Sequence, residues 1–194
     1  MEENKQQYNE VSEEFSRHLE DTETSKLAHF YAAEKYENRH KLLIGIPATS
    51  FAILLTWLLT SPLDTIFSSS IASFMKNIFS VFLSLAVAIL SALGALLNFN
   101  DLAIRHRTAA QKYHALWRKC KNWKTDFPDY TKAVIAAQTA KQYRERLNEI
   151  NQDSPQIPKW AWKSVRVQQE EGSTTYKIEQ EKNSTYNLIT LLTT

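Results

Sequence analysis

Hydrophobic and polar positions divide this chain into two polar flanks and an apolar middle. Two charge-free apolar runs, Leu42 to Leu63 and Asn77 to Phe99, are separated by a short polar loop. A transmembrane helix needs roughly 20 apolar residues to cross about 30 Å of hydrocarbon, and both runs reach that length. They predict a two-span helical hairpin, with spans at about residues 42–60 and 78–98. The second run is dense in Leu, Ile, Phe and Val at its centre and is expected to insert by itself. The first is diluted by Gly45, Pro47, Thr49, Ser50 and Thr56. A hairpin buried inside a soluble protein would show the same pattern.

The flanks predict helices of a different kind. Residues 1–21 are polar and acidic, and read as a frayed or loosely helical segment. From Thr22 the period is helical: Ala28, Tyr31, Ala32, Lys35 and Arg39 share one side, while His29, Ala33, Tyr36, His40 and Leu43 share another. A helix over 22–41 should run straight into the first span, where Pro47 removes a backbone donor and should kink it. After the second span, His106, Ala109, Tyr113, Leu116, Cys120, Trp123 and Phe127 alternate three and four residues apart. That spacing predicts a helix over 101–125 with a packing seam, which fits intramolecular packing as well as oligomerisation. Asp126 and Pro128 mark a break. Ala136, Ala140, Tyr143, Leu147 and Ile150 then line one face of a helix over 128–151 that should fold back on the seam. A linker to Pro158 and a basic-aromatic segment, Lys159 to Arg166, follow. The fold class is therefore all-α: a two-span domain over 22–165 with long helical extensions, and a tail over 166–194. The tail repeats Ser173-Thr174-Thr175-Tyr176 as Ser184-Thr185-Tyr186-Asn187, and its composition favours a short β-hairpin.

Composition conceals the membrane signal, since 43% hydrophobic residues would suit a soluble domain. Charge distribution is more telling than the net +2. Lys35, Arg39 and Lys41 precede the first span, and Arg105, Arg107, Lys112, Arg118, Lys119, Lys121 and Lys124 follow the second. The intervening loop carries Asp64 and Lys76 alone. Basic residues accumulate on the cytoplasmic side, so both termini are expected in the cytoplasm. An acidic start with no early apolar run argues against a signal peptide. The single Cys120 excludes an intramolecular disulfide.

Both spans are sorted by side-chain size. Asn77, Ser80, Ser84, Ala88, Ser91, Ala95 and Asn98 fall on one stripe of the second, opposite Phe82, Ile89, Leu93 and Leu96. The first sets Gly45, Ala48, Thr49, Ala52 and Thr56 against Leu43, Leu54, Trp57 and Leu58. Small hydroxylated faces allow close helix packing in lipid. Asn77, Ser84, Ser91 and Asn98 could alternatively line water in an oligomeric pore, without the cost of a buried charge. No charge lies inside either span, so a proton relay, voltage sensor or ion-coupled transporter is not expected.

His18, His29 and His40 recur every eleven residues, and His40 and His106 sit where they could meet at the inner membrane border. Structural hydrogen bonding is the expected role, with pH sensing and metal binding as rarer ones; no ligand spacing of the usual kind accompanies them. Trp160 and Trp162 among Lys159, Lys163 and Arg166 suit either an interfacial anchor or a cytosolic core. No glycine-rich phosphate loop, paired carboxylates or nucleophile–base arrangement is present. No enzyme, cofactor, metal or direct nucleic-acid site is expected.

Three stretches together resemble the SLATT domain (the SMODS- and SLOG-associating two-transmembrane effector domain). They are the Tyr36-Glu37-Asn38-Arg39-His40-Lys41 lead, the two spans, and Arg105-His106-Arg107-Thr108-Ala109-Ala110-Gln111-Lys112-Tyr113-His114-Ala115-Leu116-Trp117-Arg118. The likeness covers about residues 22–165, with His40, Arg105, His106, Tyr113 and Leu116 carrying the motif. It implies an oligomeric pore-forming effector of bacterial antiphage defence in the inner membrane. It also implies a partner: a nucleotide second-messenger synthase, a nucleotide-sensing protein or a reverse transcriptase. The other reading is a scaffold whose hairpin only anchors a helical interaction module; an enzyme using the same anchor is a third.

Overall fold

A computed structural model describes residues 2–60 and 69–170, and among these the chain is all-α. The expected β-hairpin of the tail lies outside the described residues, as do residues 61–68 of the loop region; the rest of the loop between the apolar runs, from Ser69, is already helix. The helices are α1 (Glu2–His40), α2 (Ile46–Thr60), α3 (Ser69–Leu97), α4 (Phe99–Cys120), α5 (Trp123–Asp126), α6 (Ala133–Asp153) and α7 (Lys159–Glu170). A π-helical turn, Lys41–Gly45, joins α1 to α2. Two compact units divide the chain: residues 1–32 with 106–194, and residues 33–105.

The first unit is built on the predicted seam. His106, Ala109, Tyr113, Leu116, Cys120 and Trp123 are all buried, and Phe127 packs beside them. From α6, Ala136, Leu147 and Ile150 close over this seam, with Ala140 and Tyr143 at the margin. The third wall was not expected. Residues 2–21 are regular helix, not a frayed segment, and Phe15 is 1% exposed against the Trp123 indole, ring centroids 4.6 Å apart. Tyr8, Val11 and Leu19 flank it. Burying each large apolar side chain contributes about 1.5–3 kcal/mol, enough to order a segment whose outer face is acidic. Exposed pairs such as Arg17–Glu13 (2.6 Å) and His18–Glu14 (3.4 Å) add little.

Helix boundaries in this unit follow local chemistry. α4 ends at Cys120, three residues before the seam's last buried aromatic, and the short α5 continues it. Instead of starting at Pro128, the next helix opens with a 3₁₀ turn at Tyr130–Lys132, where the Asp129 carboxylate accepts from Thr131 N at 2.9 Å. Regular α-helix begins only at Ala133. α7 starts after Pro158, whose carbonyl accepts from Ala161 N at 2.9 Å. Its Ala161 and Val165 are buried, and Trp160 and Trp162 are half-buried. Trp160 meets Tyr31 with ring centroids 5.9 Å apart.

In the second unit α2 packs antiparallel on α3. Leu58 is buried with Ala72 and Leu83, while Ile44, fourteen residues earlier, lies against Gly94, so positions rise along one helix as they fall along the other. A π turn stands immediately before Pro47. It sends Ile46 N–H to the Lys41 carbonyl, five residues back, and the helix runs on through α2. At the far end of α3, Asn98 takes φ 46°, a left-handed conformation that Asn tolerates better than most residues. It separates α3 from α4, although Asn98 N still bonds to Gly94 O (3.2 Å) and Leu102 N to Asn98 O (3.1 Å). Two helical stretches, Glu2–Thr60 and Ser70–Asp126, contain segments long and apolar enough to cross a membrane.

Candidate functional site

Large apolar side chains cover the outside of α2 and α3. Trp57 is 59% exposed, Phe82 65% and Leu96 80%, and in the most apolar stretch of the second helical run no residue is buried. A soluble core helix would be the reverse.

The small faces stand apart from the contact between these helices. That contact uses Ile44, Leu58, Ala72, Leu83 and Gly94. Of the first face, Thr49, Ala52 and Thr56 are exposed and Gly45 is half-buried. Thr49 Oγ1 donates to Gly45 O (2.8 Å) and Thr56 Oγ1 to Ala52 O (2.9 Å), so the hydroxyls are satisfied along their own helix. On the second stripe Asn77, Ser84, Ser91 and Asn98 are exposed and Ser80 is half-buried. Ser80, Ser84 and Ser91 likewise donate to backbone carbonyls one turn back, at 3.1, 2.9 and 2.8 Å. Asn98, in its left-handed conformation, is turned by the helix break and reaches Asp101 Oδ2 at 3.4 Å. Among the described residues, then, packing of α2 on α3 half-covers Gly45, Ala48 and Ser80 and leaves the rest of both small faces exposed.

In the first unit His106, Tyr113 and Leu116 of the motif are buried. His106 Nδ1 lies 2.9 Å from His29 Nδ1, so the partner of His106 is His29 rather than the expected His40. The rings are tilted by 42°, and the two residues are 2% and 1% exposed. Tyr113 stacks on His29 at 5.3 Å and donates its hydroxyl to Asn151 Oδ1 on α6 at 2.6 Å. Only one proton fits between two facing Nδ1 atoms, so one neutral imidazole donates to the other. Burial, and secondarily the neighbouring His106, lowers the His29 pKa to about 4; burial lowers that of His106. Leu116 sits in the same core, while Arg105 is exposed and pairs with Asp101 at 2.7 Å. In the second unit, His40 Nδ1 is buried with no hydrogen-bond partner among the described residues.

Three features of the first unit carry little signal in sequence. Lys26, 8% exposed, lies over the Trp117 ring at 4.1 Å, with Lys121 5.3 Å from the same ring. His29 faces the core, and Phe15 belongs to it. The signal existed as Tyr8, Val11, Phe15, Leu19, Thr22, Lys26 and His29, three or four residues apart, but acidic neighbours mask it. Burial pushes the Cys120 thiol up to about 11, which keeps it unreactive. Among the described residues no three His, Cys, Asp or Glu side chains converge as a metal site. In comparisons with protein-family models, curated proteins and solved structures, nothing matches this chain.

Proposed function

We propose that this chain is a two-span, SLATT-like membrane effector that oligomerises and permeabilises a bacterial inner membrane on an infection signal. The observation that carries the reading is the exposed apolar surface of α2 and α3, which holds no charge beyond Lys76. It needs hydrocarbon around it, and it carries two small hydroxylated faces that the described residues leave largely exposed. Copies meeting through these faces would shield the stripe of Asn77, Ser80, Ser84, Ser91 and Asn98 from lipid, and part of it would line a weakly selective aqueous path. Both termini face the cytoplasm in this reading, because the basic residues cluster on the helices outside the spans. The resemblance in the Arg105 to Arg118 stretch supports the defence role and a nucleotide-signal or reverse-transcriptase partner.

Signal transfer would run through α1 and α4, since the boundary between the two units falls within each of them. A partner or ligand that alters the first unit would thereby act on the spans. A second reading, a membrane-anchored scaffold, draws support from the self-contained aromatic core of that unit. Expression in a bacterium under tight control, with a membrane-potential dye, tests between them. Depolarisation with growth arrest is expected, alone or with the neighbouring gene coexpressed. A chain that inserts and leaves the potential intact in both settings is an anchor.

A further inference from the structure

A cleft of about 410 Å³ opens in the first unit where α1, α6 and α7 converge. Glu20 and Asp21 of α1 line it, with Asn151 of α6 and Trp162 and Arg166 of α7, around the buried Leu147. At its edge Gln169 Nε2 donates to Thr24 Oγ1 at 3.0 Å, tying α7 to α1. The volume falls in the range of small-molecule sites, roughly 300–1,000 Å³.

Charges of both signs line this cleft. Elsewhere in the unit Glu14 pairs with Arg144 at 2.8 Å and Lys112 with Asp153 at 3.3 Å. Glu20, Asp21 and Arg166 form no ion pair among the described residues, although all three line one cavity. Opposite charges that share a cleft without neutralising each other are complementary to a ligand that carries both signs. Two carboxylates against one guanidinium favour a ligand with excess positive charge. Trp162 supplies an indole on which a planar cation can rest. The Oδ1 of Asn151 is committed to the Tyr113 hydroxyl at 2.6 Å, leaving its Nδ2 group as the donor for an anionic end beside Arg166. A phosphate ester would meet two carboxylates for one guanidinium, so nucleotides are disfavoured.

We infer that this cleft binds a small zwitterion of the chemical class of free arginine, its guanidinium on Glu20, Asp21 and Trp162 and its carboxylate on Arg166. The inference rests on the first unit alone and stands whether or not α2 and α3 conduct. It is tested with the purified full chain in detergent, by calorimetric titration and thermal unfolding with L-arginine. Saturable binding that raises Tm is expected. Agmatine, which lacks the carboxylate, and citrulline, which lacks the side-chain charge, should each bind about tenfold more weakly. Arg166→Ala should abolish the preference for arginine over agmatine. The double variant Glu20→Gln, Asp21→Asn should abolish the preference over citrulline. These side chains are on the surface, and an unchanged helical spectrum verifies that each variant folds. The assignment is overturned if arginine shows no saturable binding up to about 10 mM, if the variants bind as the parent does, or if adenosine monophosphate binds more tightly.

Discussion

His29 and His106 meet Nδ1 to Nδ1 at 2.9 Å inside the first unit, roofed by the Tyr113 ring. Burial disfavours the charged form of either ring, and two imidazolium ions there would in addition be desolvated like charges. The folded pKa of His29, about 4, lies below its ordinary 6.5. The unfolded chain therefore binds the proton more readily, and the stability that the neutral pair contributes is full above about pH 6.5 and lost as pH falls toward 4. The ceiling of this effect is on the order of 3 kcal/mol. Thermal unfolding across pH 4–7.5 should show Tm dropping through this window. His29→Gln should flatten the slope, since glutamine cannot take up the proton. An unchanged slope in that variant would place the pH dependence elsewhere.

Phe15 rests on Trp123, ring centroids 4.6 Å apart, and touches Tyr143 at 5.5 Å. Phe15→Ala should cost about 3–5 kcal/mol of unfolding free energy, the range for a truncated core aromatic. Denaturant unfolding followed by tryptophan fluorescence measures it. A cost below about 1 kcal/mol would mean that residues 2–21 are docked only marginally.

What the sequence revealed and hid follows from geometry. The seam from His106 to Phe127 and the facing stripe from Ala136 to Ile150 were legible because strong aromatics and alanines recur at helical spacing over several turns. The stripe from Tyr8 to His29 has the same spacing but includes Thr22 and Lys26 between acidic residues, so it read as solvated. The contact between α2 and α3 was not legible. Size sorting singled out Gly45, Thr49, Ala52 and Thr56, yet Ile44, Leu58 and Gly94 make the contact. Periodicity identifies faces but not which face a helix turns to its neighbour; here the π turn at Lys41–Gly45 shifts the phase of α2 relative to its lead. Similarly, histidines eleven residues apart lie near one face, and nothing in their spacing told His29 from His40.

Gly94 takes the Ile44 side chain against its bare Cα: a Cβ there would lie 3.1 Å from Ile44 Cγ2. In Gly94→Ala the steric conflict with the Ile44 methyl opposes a helix-propensity gain of about 1 kcal/mol, and how far the Ile44 side chain gives way sets the net effect. Ile44→Ala removes the methyl group that would clash. The double variant should be more stable than the sum of the single effects, by roughly 0.5–1 kcal/mol in a double-mutant cycle. Thermal unfolding in detergent gives the four values, and strict additivity would refute the contact.

Ser84 and Ser91 are exposed two turns apart on the face of α3 that α2 leaves open, and their hydroxyls bond to Val81 O and Val87 O within the helix. Replacing them with leucine therefore breaks no contact within the chain and adds apolar surface that lipid accepts. Insertion should be unchanged. If this stripe meets other copies or water, however, two leucines would block close approach and dry the path. Ser84→Leu with Ser91→Leu should abolish depolarisation and toxicity at equal membrane content, while Ser84→Ala with Ser91→Ala should preserve packing and weaken only conduction. Asn98 needs a different probe. Its left-handed backbone makes leucine there strained in any reading, so Asn98→Gly removes the amide while keeping the turn. Toxicity that survives the double leucine variant would assign the conducting face elsewhere and leave the stripe as ordinary lipid-facing surface.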